Sequence, residues 1–486
     1  MGRVTSSPDH PVPAEPSSGV RRSTTREGSR VVIVGGGPGG YEAALVAAQL
    51  GAEVTLVERQ GLGGAAVLTD VVPSKTLIAT AEWMTLTESA SELGIHPTGG
   101  HDGTVEVSLD EVNTRVRKLA AAQSRDVRTR LERKGVRLIA GSGSLGGPGE
   151  VVVRGDDGEQ TLAADVVLLT TGARPRELPT ARPDGERILT WTQLYDLTEA
   201  PEKLIVVGSG VTGAEFAGAY TSLGVPVVLV SSRDRVLPGE DSDAAEVLES
   251  AFRRRGMDVM SRSRAAAVRR SGDGVEVELT DGQVITGSHC LIAVGGVPNS
   301  EDLGLARAGV ATTESGHIEV DRVSRTTVRG VYAAGDVTGV LPLASVAAMQ
   351  GRIAMWHSLG DAVAPLDLQV VSANVFTAPE IATVGIAESA ITRKEVNGLV
   401  TTLPLARNPR AKMLGISEGF VKLFSHRSSG LVLGGVVVAP RASELIFPIT
   451  LAINNRLTVD EVAAAFTVYP SLSGSIAEAA RELHRG

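Results

Sequence analysis

Arg30-Val31-Val32-Ile33-Val34-Gly35-Gly36-Gly37-Pro38-Gly39-Gly40 decides the fold, together with the next two segments, Tyr41 to Leu50 and Glu53-Val54-Thr55-Leu56-Val57-Glu58. A β-branched run predicts a strand. The glycines predict a turn, Tyr41 to Leu50 a helix, and Glu53 to Val57 a second strand that ends at an acid. This order makes a βαβ unit. Gly35, Gly37 and Gly40 have the G-x-G-x-x-G spacing. The first permits a tight turn, the second lets a diphosphate approach the backbone, and the third packs helix against strand. The helix N-terminus then offers unpaired N–H groups and partial positive charge to the diphosphate. Glu58 stands where a carboxylate can accept from ribose hydroxyls. The alternative, a purely structural glycine turn, is disfavoured by the strand before and the helix after.

The same order recurs at Lys203-Leu204-Ile205-Val206-Val207, which leads into Gly208, Gly210 and Gly213. A helix is predicted to about Leu223 and a strand over Val225 to Val230. Here Ser231-Ser232-Arg233 replaces the acid. A carboxylate at Ser231 would repel a 2′-phosphate; its absence, with Arg233 nearby, tolerates one. The alternative is that Arg233 is a solvated surface charge. Each unit has a later apolar strand ending in a small-residue turn, at Thr171-Gly172-Ala173 and at Val294-Gly295-Gly296. The reading is α/β: two Rossmann-like dinucleotide-binding domains, the second inserted in the first. From about Leu366 the texture changes to apolar strands such as Gly430 to Ala439, with helices expected at Ala442–Asn455 and Val459–Phe466. The expected division is a disordered tail (1–28), a first dinucleotide domain in two parts (29–175 and 297–366), a second such domain (176–296), and a C-terminal α+β domain (367–486).

Composition narrows the function. The 47 basic against 56 acidic residues give a net charge of −9, which argues against a nucleic-acid partner. No apolar run is long enough to span a bilayer. Arg21-Arg22 lacks the apolar segment of an export signal, so a cytoplasmic protein is expected. Cys290 is the one cysteine, so neither an intrachain disulfide nor a cysteine-based metal cluster can form, and no metal site is expected. In its apolar run Cys290 reads as a small core residue. Two dinucleotide sites in one chain suggest electron transfer between a flavin and a nicotinamide, hence FAD with NADPH or NADH.

These motifs together resemble the two-dinucleotide-fold flavoprotein disulfide reductases of the lipoamide dehydrogenase type, over roughly residues 30–482. Thr326 to Asp336 is similar to the second FAD motif of that family, which gives Gly335 and Asp336 to the ribityl-diphosphate region. Thr171-Gly172-Ala173 is similar to its ATG turn, and Gly295-Gly296-Val297-Pro298-Asn299 to a later stretch in which Gly296 stands for an arginine. Leu343 to Gly351, including Ala344, resembles the helix whose N-terminus faces the flavin pyrimidine ring. Val375 to Gly385 resembles the start of the dimerisation domain, so a homodimer is implied. Lys75 and Glu215 match the Lys–Glu pair beside flavin N5.

The departures carry the functional reading. The family has two cysteines in an inner loop followed by Pro-Ser-Lys. Here Gly63-Gly64-Ala65-Ala66-Val67-Leu68-Thr69-Asp70-Val71-Val72 precedes Pro73-Ser74-Lys75, so Ala66 and Val71 take the sulfur positions. The family's His-Pro-Thr…Glu becomes Tyr469-Pro470-Ser471…Gly474. The one His-Pro-Thr in the chain, at His96, belongs to the wrong domain. Thiol exchange needs a thiolate, and a phenol is a poor base for it near neutral pH. Lipoamide and glutathione reduction are thereby excluded. What remains resembles a cysteine-less bacterial branch of NAD(P)H:quinone reductases. Lys75, Glu215 and Tyr469 are the candidate catalytic residues. Gly64 joins the other glycines as a cofactor contact. The resemblance implies that Ala66, Val71 and the partner subunit's Tyr469 line an apolar acceptor face; the alternative is that Ala66 and Val71 only fill vacated volume. Two other functions stay open: soluble pyridine nucleotide transhydrogenase, and a non-catalytic NAD(P)H-sensing flavoprotein.

Overall fold

The computed structural model describes residues 28–88, 90, 94 and 106–484. The tail up to position 27 and His96-Pro97-Thr98 lie outside them. Arg30–Val34 is the central strand of a five-stranded parallel sheet. Its neighbours are Glu53–Glu58 and Val166–Leu169, and the edges are Arg137–Ala140 and Val331–Ala333. Val31 to Val34 are all buried, because both faces of a parallel sheet are covered, and this is why the strand reads as an unbroken apolar run. The helix Pro38–Gln49 makes the crossover.

A second parallel sheet repeats the plan. Leu204–Val207 sits at its centre, flanked by Val227–Val230 and His289–Ile292, with Asp258–Met260 and Ile188–Thr190 outside. Cys290 is fully buried here, and burial pushes its thiol pKa well up. Each parallel sheet has a three-stranded antiparallel companion: Ser142–Gly147, Glu150–Gly155 and Gly158–Ala163 for the first, and Ala265–Ser271, Gly274–Leu279 and Val284–Gly287 for the second. The chain passes between the two units twice, and both passages run through one ribbon. Ala173–Pro175 pairs antiparallel with Gly296–Pro298. Asn299 fastens it, donating from its backbone N–H to the Gly172 carbonyl and from Nδ2 to the Thr171 carbonyl, both at 2.9 Å.

The C-terminal region forms a five-stranded antiparallel sheet in the order Ala373–Val375, Glu380–Gly385, Val432–Ala439, Phe420–His426, Gly398–Pro404. The helix expected over Ala442–Asn455 is two helices, Ala442–Leu445 and Phe447–Asn454. Pro448 has no N–H for the turn before it, so the first helix ends and the second begins around it. The next helix stops at Ala464 rather than at Phe466. Phe447, Leu451, Phe466, Val468 and Tyr469 leave large apolar side chains exposed on this region. No helix among the described residues is long and apolar enough to cross a membrane.

One charged cluster joins the second and third units. Lys422, only 1% exposed, points its ammonium between Asp241 (2.9 Å), Asp243 (2.8 Å) and Glu388 (2.5 Å). Asp241 also caps the helix Ser242–Arg254, accepting from the backbone N–H groups of Asp243 and Ala244. Three carboxylates can share so small a space only around a cation. Lys422→Met keeps the volume and strands them, so the unfolding free energy should fall by about 3–5 kcal/mol. Urea unfolding monitored by circular dichroism checks this; an unchanged midpoint would show that the cluster is idle.

Candidate functional site

The two glycine loops are built alike. Gly35 (φ +105°) and Gly208 (φ +113°) make the turn in a backbone conformation that side chains disfavour. A Cβ on Gly35 would also lie 2.4 Å from the Thr170 carbonyl oxygen, and one on Gly208 would lie 2.2 Å from that of Ala293. On Gly40 and Gly213 a Cβ would strike the carbonyl oxygen of Gly35 at 1.9 Å and of Gly208 at 1.8 Å. On Gly37 and Gly210 it would meet nothing within 4 Å. The first and third glycines are therefore filled by the protein itself, and the second opens on space.

Three long helices begin without a side-chain cap: Pro38–Gln49, Val211–Ser222 and Ala344–Ser358. By contrast Ser108 and Asp241 cap Leu109–Arg133 and Ser242–Arg254. An uncapped start leaves backbone donors for something outside the chain. The segment from Gly63 docks on the first glycine loop: Gly63 donates to the Gly36 carbonyl at 2.8 Å, and a Cβ on Gly64 would lie 2.9 Å from the Gly37 Cα.

The ribose ends of the two units match in position and differ in chemistry. Glu58 accepts from the Gly36 N–H at 2.6 Å across 22 residues of chain. Its other oxygen accepts from Gln60 at 2.6 Å and Gly61 at 3.2 Å. Ser231 meets Ser209 at the same separation of 22 residues, hydroxyl to hydroxyl at 2.7 Å. Ser231 is fully buried and tied to its own turn, accepting from the Arg233 N–H at 3.1 Å. Its hydroxyl is thus a brace rather than a surface contact. Arg233 is exposed, and its carbonyl accepts from the backbone N–H of Arg262 at 2.7 Å, which sets two arginines at one strand end.

Lys75 and Glu215 meet as the sequence resemblance expects. Nζ lies 2.6 Å from Oε2, with the Glu215 side chain 4% exposed and that of Lys75 26%. The other oxygen of Glu215 accepts from the Phe376 N–H at 2.8 Å, and Nζ stands 4.8 Å from the centre of the Phe376 ring. Thr171 donates its hydroxyl to the Asn299 carbonyl at 2.7 Å and so serves the ribbon. Gly295 accepts from the Arg176 N–H at 2.9 Å. Gly335 (φ +81°) donates to Gln350 Oε1 at 2.8 Å and sets Asp336 at the start of a short turn. Burial raises the Asp336 pKa, and the carboxyl accepts no hydrogen bond from the described residues. Tyr469 lies 83% exposed and is not brought to Lys75 within one chain. Ala66 lies in the short helix Gly64–Leu68, and Val71 is 37% exposed at the start of Val71–Glu88.

Two groups escaped the sequence reading. Asp70 precedes the helix Val71–Glu88; its N–H donates to Ala65 at 2.8 Å and its carbonyl accepts from Ser74 at 2.7 Å. Its half-buried carboxyl has no hydrogen-bond partner among the described residues. Burial first, then Glu215 and Asp336, push its pKa up to about 6 against the pull of Lys75. Tyr195 is 4% exposed, and its hydroxyl faces the Ser74 side chain without a well-formed hydrogen bond. Burial, with Asp70, Tyr220 and Glu215 nearby, holds that phenol well above its ordinary range.

Residues 29–351 match the sequence profile of the pyridine nucleotide-disulphide oxidoreductases, and 371–480 the profile of their dimerisation domain. The chain belongs to that family. Family members bind FAD and NAD(P)H. The chain is 55% identical to an NAD(P)H dehydrogenase (quinone) of Mycobacterium tuberculosis, over 94% of each protein. It is 34% identical to a dihydrolipoyl dehydrogenase of Zymomonas mobilis, over 92% of this chain and 96% of that one. The crystal structure of LpdA from M. tuberculosis superposes with a TM-score of 0.90 at 54% identity, covering 94% of this chain and all of that one. The open second glycines, the uncapped helices and the unpartnered Asp336 carboxyl fit a bound dinucleotide of the family's kind.

The raised pKa of Asp70 has a thermodynamic sign. The folded chain holds this proton more tightly than the unfolded one, so ionisation costs nothing below the unfolded value of 3.8, grows between there and about 6, and is complete above. Asp70→Asn removes the cost. The FAD-free variant should exceed the parent by up to about 3 kcal/mol near neutral pH, and the gap should close as pH falls toward about 4. Urea midpoints measured across that range decide it; a gap that stays constant rejects the assignment.

Proposed function

We propose that the protein is an FAD-dependent NAD(P)H:quinone oxidoreductase that works without a redox disulfide. The observation that carries this is the pairing of two complete glycine cradles with an inner loop, Gly63 to Val72, that holds no sulfur; the single thiol, Cys290, is fully buried in a strand of the second sheet. The relationship to a quinone-reducing enzyme of M. tuberculosis supports the same reading.

Gly35, Gly37, Gly40 and Gly64, with Glu58, Thr171, Gly172, Gly335, Asp336 and Ala344, would hold the FAD. Gly208, Gly210, Gly213, Arg233 and Gly295 would hold the nicotinamide nucleotide, with Ser231 bracing the strand end from beneath. The bound FAD supplies hydride acceptance and onward two-electron transfer, chemistry that needs no thiol. Lys75 supplies a positive charge whose place is fixed by Glu215, itself fixed by the Phe376 N–H. A cation so placed favours negative charge developing beside it. The exposed apolar side chains of residues 447–469 suit a two-fold interface, so the working unit is a homodimer in which Tyr469 of the partner subunit closes the acceptor side.

Yellow holoenzyme should oxidise NADPH with menadione or a dimethylbenzoquinone as acceptor. Failure with every quinone, while NADPH still bleaches the flavin, would reject the acceptor class. Transfer to thio-NAD without quinone would point instead to a transhydrogenase.

The ribose end predicts the nucleotide. With a hydroxyl pair in place of the carboxylate and two arginines beside it, NADPH should serve at least as well as NADH. Because Ser231 is braced by Ser209, the paired change Ser209→Gly with Ser231→Glu copies the Gly36–Glu58 arrangement. It should move the NADH/NADPH ratio of kcat/KM at least about tenfold toward NADH, or about 1.4 kcal/mol. An unmoved ratio would show that this strand end does not read the 2′ position.

A further inference from the structure

Reduction of a quinone to a quinol needs two electrons and two protons. NADPH delivers the electrons and one proton together as hydride, so one proton must come from elsewhere. Leaving a quinol oxyanion in a partly desolvated site is costly, which makes an acid beside the electron path useful. This question rests on the quinone reductase reading above.

The groups around Lys75 differ in their capacity to meet that need. Lys75 and Glu215 are engaged with each other at 2.6 Å, and Glu215 is held again by the Phe376 N–H. The Tyr195 phenol is held far too high by burial to give up a proton near neutral pH. Asp336 stands in the turn set by Gly335 and Gln350, near His317, and is the residue assigned to hold the FAD. Asp70 remains. Its backbone is pinned at both ends, to Ala65 and to Ser74, and its segment lies on the glycine loop through Gly63 and Gly64. Its carboxyl has no hydrogen-bond partner among the described residues, and the charges that face it come from separate elements. They are Lys75 on the helix Val71–Glu88, Glu215 on Val211–Ser222 and Asp336 in the turn Asp336–Thr338. Tyr195, on the turn Trp191–Asp196, adds a buried hydroxyl beside Ser74.

We propose that Asp70 is the acid that supplies the second proton of quinone reduction and regains it from solvent during the reductive half-reaction. The net reaction is NADPH plus quinone plus a proton giving NADP⁺ plus quinol. The nicotinamide C4–H bond breaks and NADPH is oxidised; the quinone gains both electrons and two O–H bonds. The hydride supplies one of those protons and the Asp70 carboxyl the other. The carboxylate left behind then takes a proton from water. Burial and the nearby Glu215 and Asp336 already favour the protonated carboxyl against the pull of Lys75, and negative charge added beside it favours that form further.

The test uses the holoenzyme under anaerobic conditions in weak buffer with a pH-indicator dye, near pH 7.5. Hydride transfer from NADPH consumes no solvent proton by itself. The parent should therefore take up a substantial fraction of one proton per flavin reduced, and Asp70→Asn close to none. In turnover, Asp70→Asn should lower quinone kcat/KM at least about tenfold and flatten its alkaline limb, and Asp70→Glu should restore both the uptake and the limb at a shifted pH. No proton uptake by the parent, or the same uptake in Asp70→Asn, overturns the role of Asp70 and leaves quinone reduction standing. If the Asn variant fails to fold, Asp70→Glu decides: proton uptake and an alkaline limb unshifted from those of the parent overturn the role. Failure of NADPH to reduce the bound flavin at all overturns the underlying function and the proton role with it.

Discussion

The Glu215 carboxylate is where the whole chain meets. One oxygen holds Lys75 of the first unit, and the other accepts the Phe376 N–H of the third, while Glu215 itself rises from a helix of the second. A carboxylate almost wholly out of water is tolerated only when both oxygens are engaged by donors or cations. The three units are thus docked through a group that cannot be left half-satisfied. The second joint, Lys422 among Asp241, Asp243 and Glu388, follows the same rule with the charges reversed. Apolar packing brings the units together, and these two polar nodes fix how they dock.

Local chemistry was legible in the sequence. The glycine loops could be read because each glycine answers a local steric demand, and the central strands because a strand covered on both faces must be apolar throughout. The region after Ala442 reads as one helix because its apolar pattern runs through Pro448 and hides the break. The pair Lys75–Glu215 lies 140 residues apart, so only resemblance could join it. Asp70 and Tyr195 were invisible for a deeper reason. Asp70 stands in the inner loop at a position that the motif does not fix, Tyr195 belongs to no motif, and their environment is assembled from distant segments, so an ordinary-looking aspartate becomes a carboxyl that holds its proton unusually well. Ser231 stands at the strand end that its spacing indicates, yet its burial against Ser209 could not be read from one position alone.

The two dinucleotide units also show how one scaffold separates its cofactors. Both use the same turn, the same open second glycine and the same contact across 22 residues. In one a carboxylate grips a backbone N–H; in the other two hydroxyls brace each other and leave the strand end to arginines. Recognition differs by a few atoms while the frame stays constant, as expected where function is grafted on a fold rather than dictated by it.

The ribbon of Ala173–Pro175 against Gly296–Pro298 has a consequence for how such a chain could arise and be rebuilt. Entry and exit of the second unit lie side by side, hydrogen-bonded to each other. Closing the gap that removal of that unit would leave needs only a tight turn, and the first sheet would keep every one of its strand neighbours. The second unit is therefore a cassette on a two-strand stem. Exchanging it for another nucleotide-binding unit requires matching the stem, the docking partners of Lys75 and Lys422, the carbonyls of Leu194 and Leu197 that accept from Asn113, and the apolar core shared with Leu77, Val116 and Phe424.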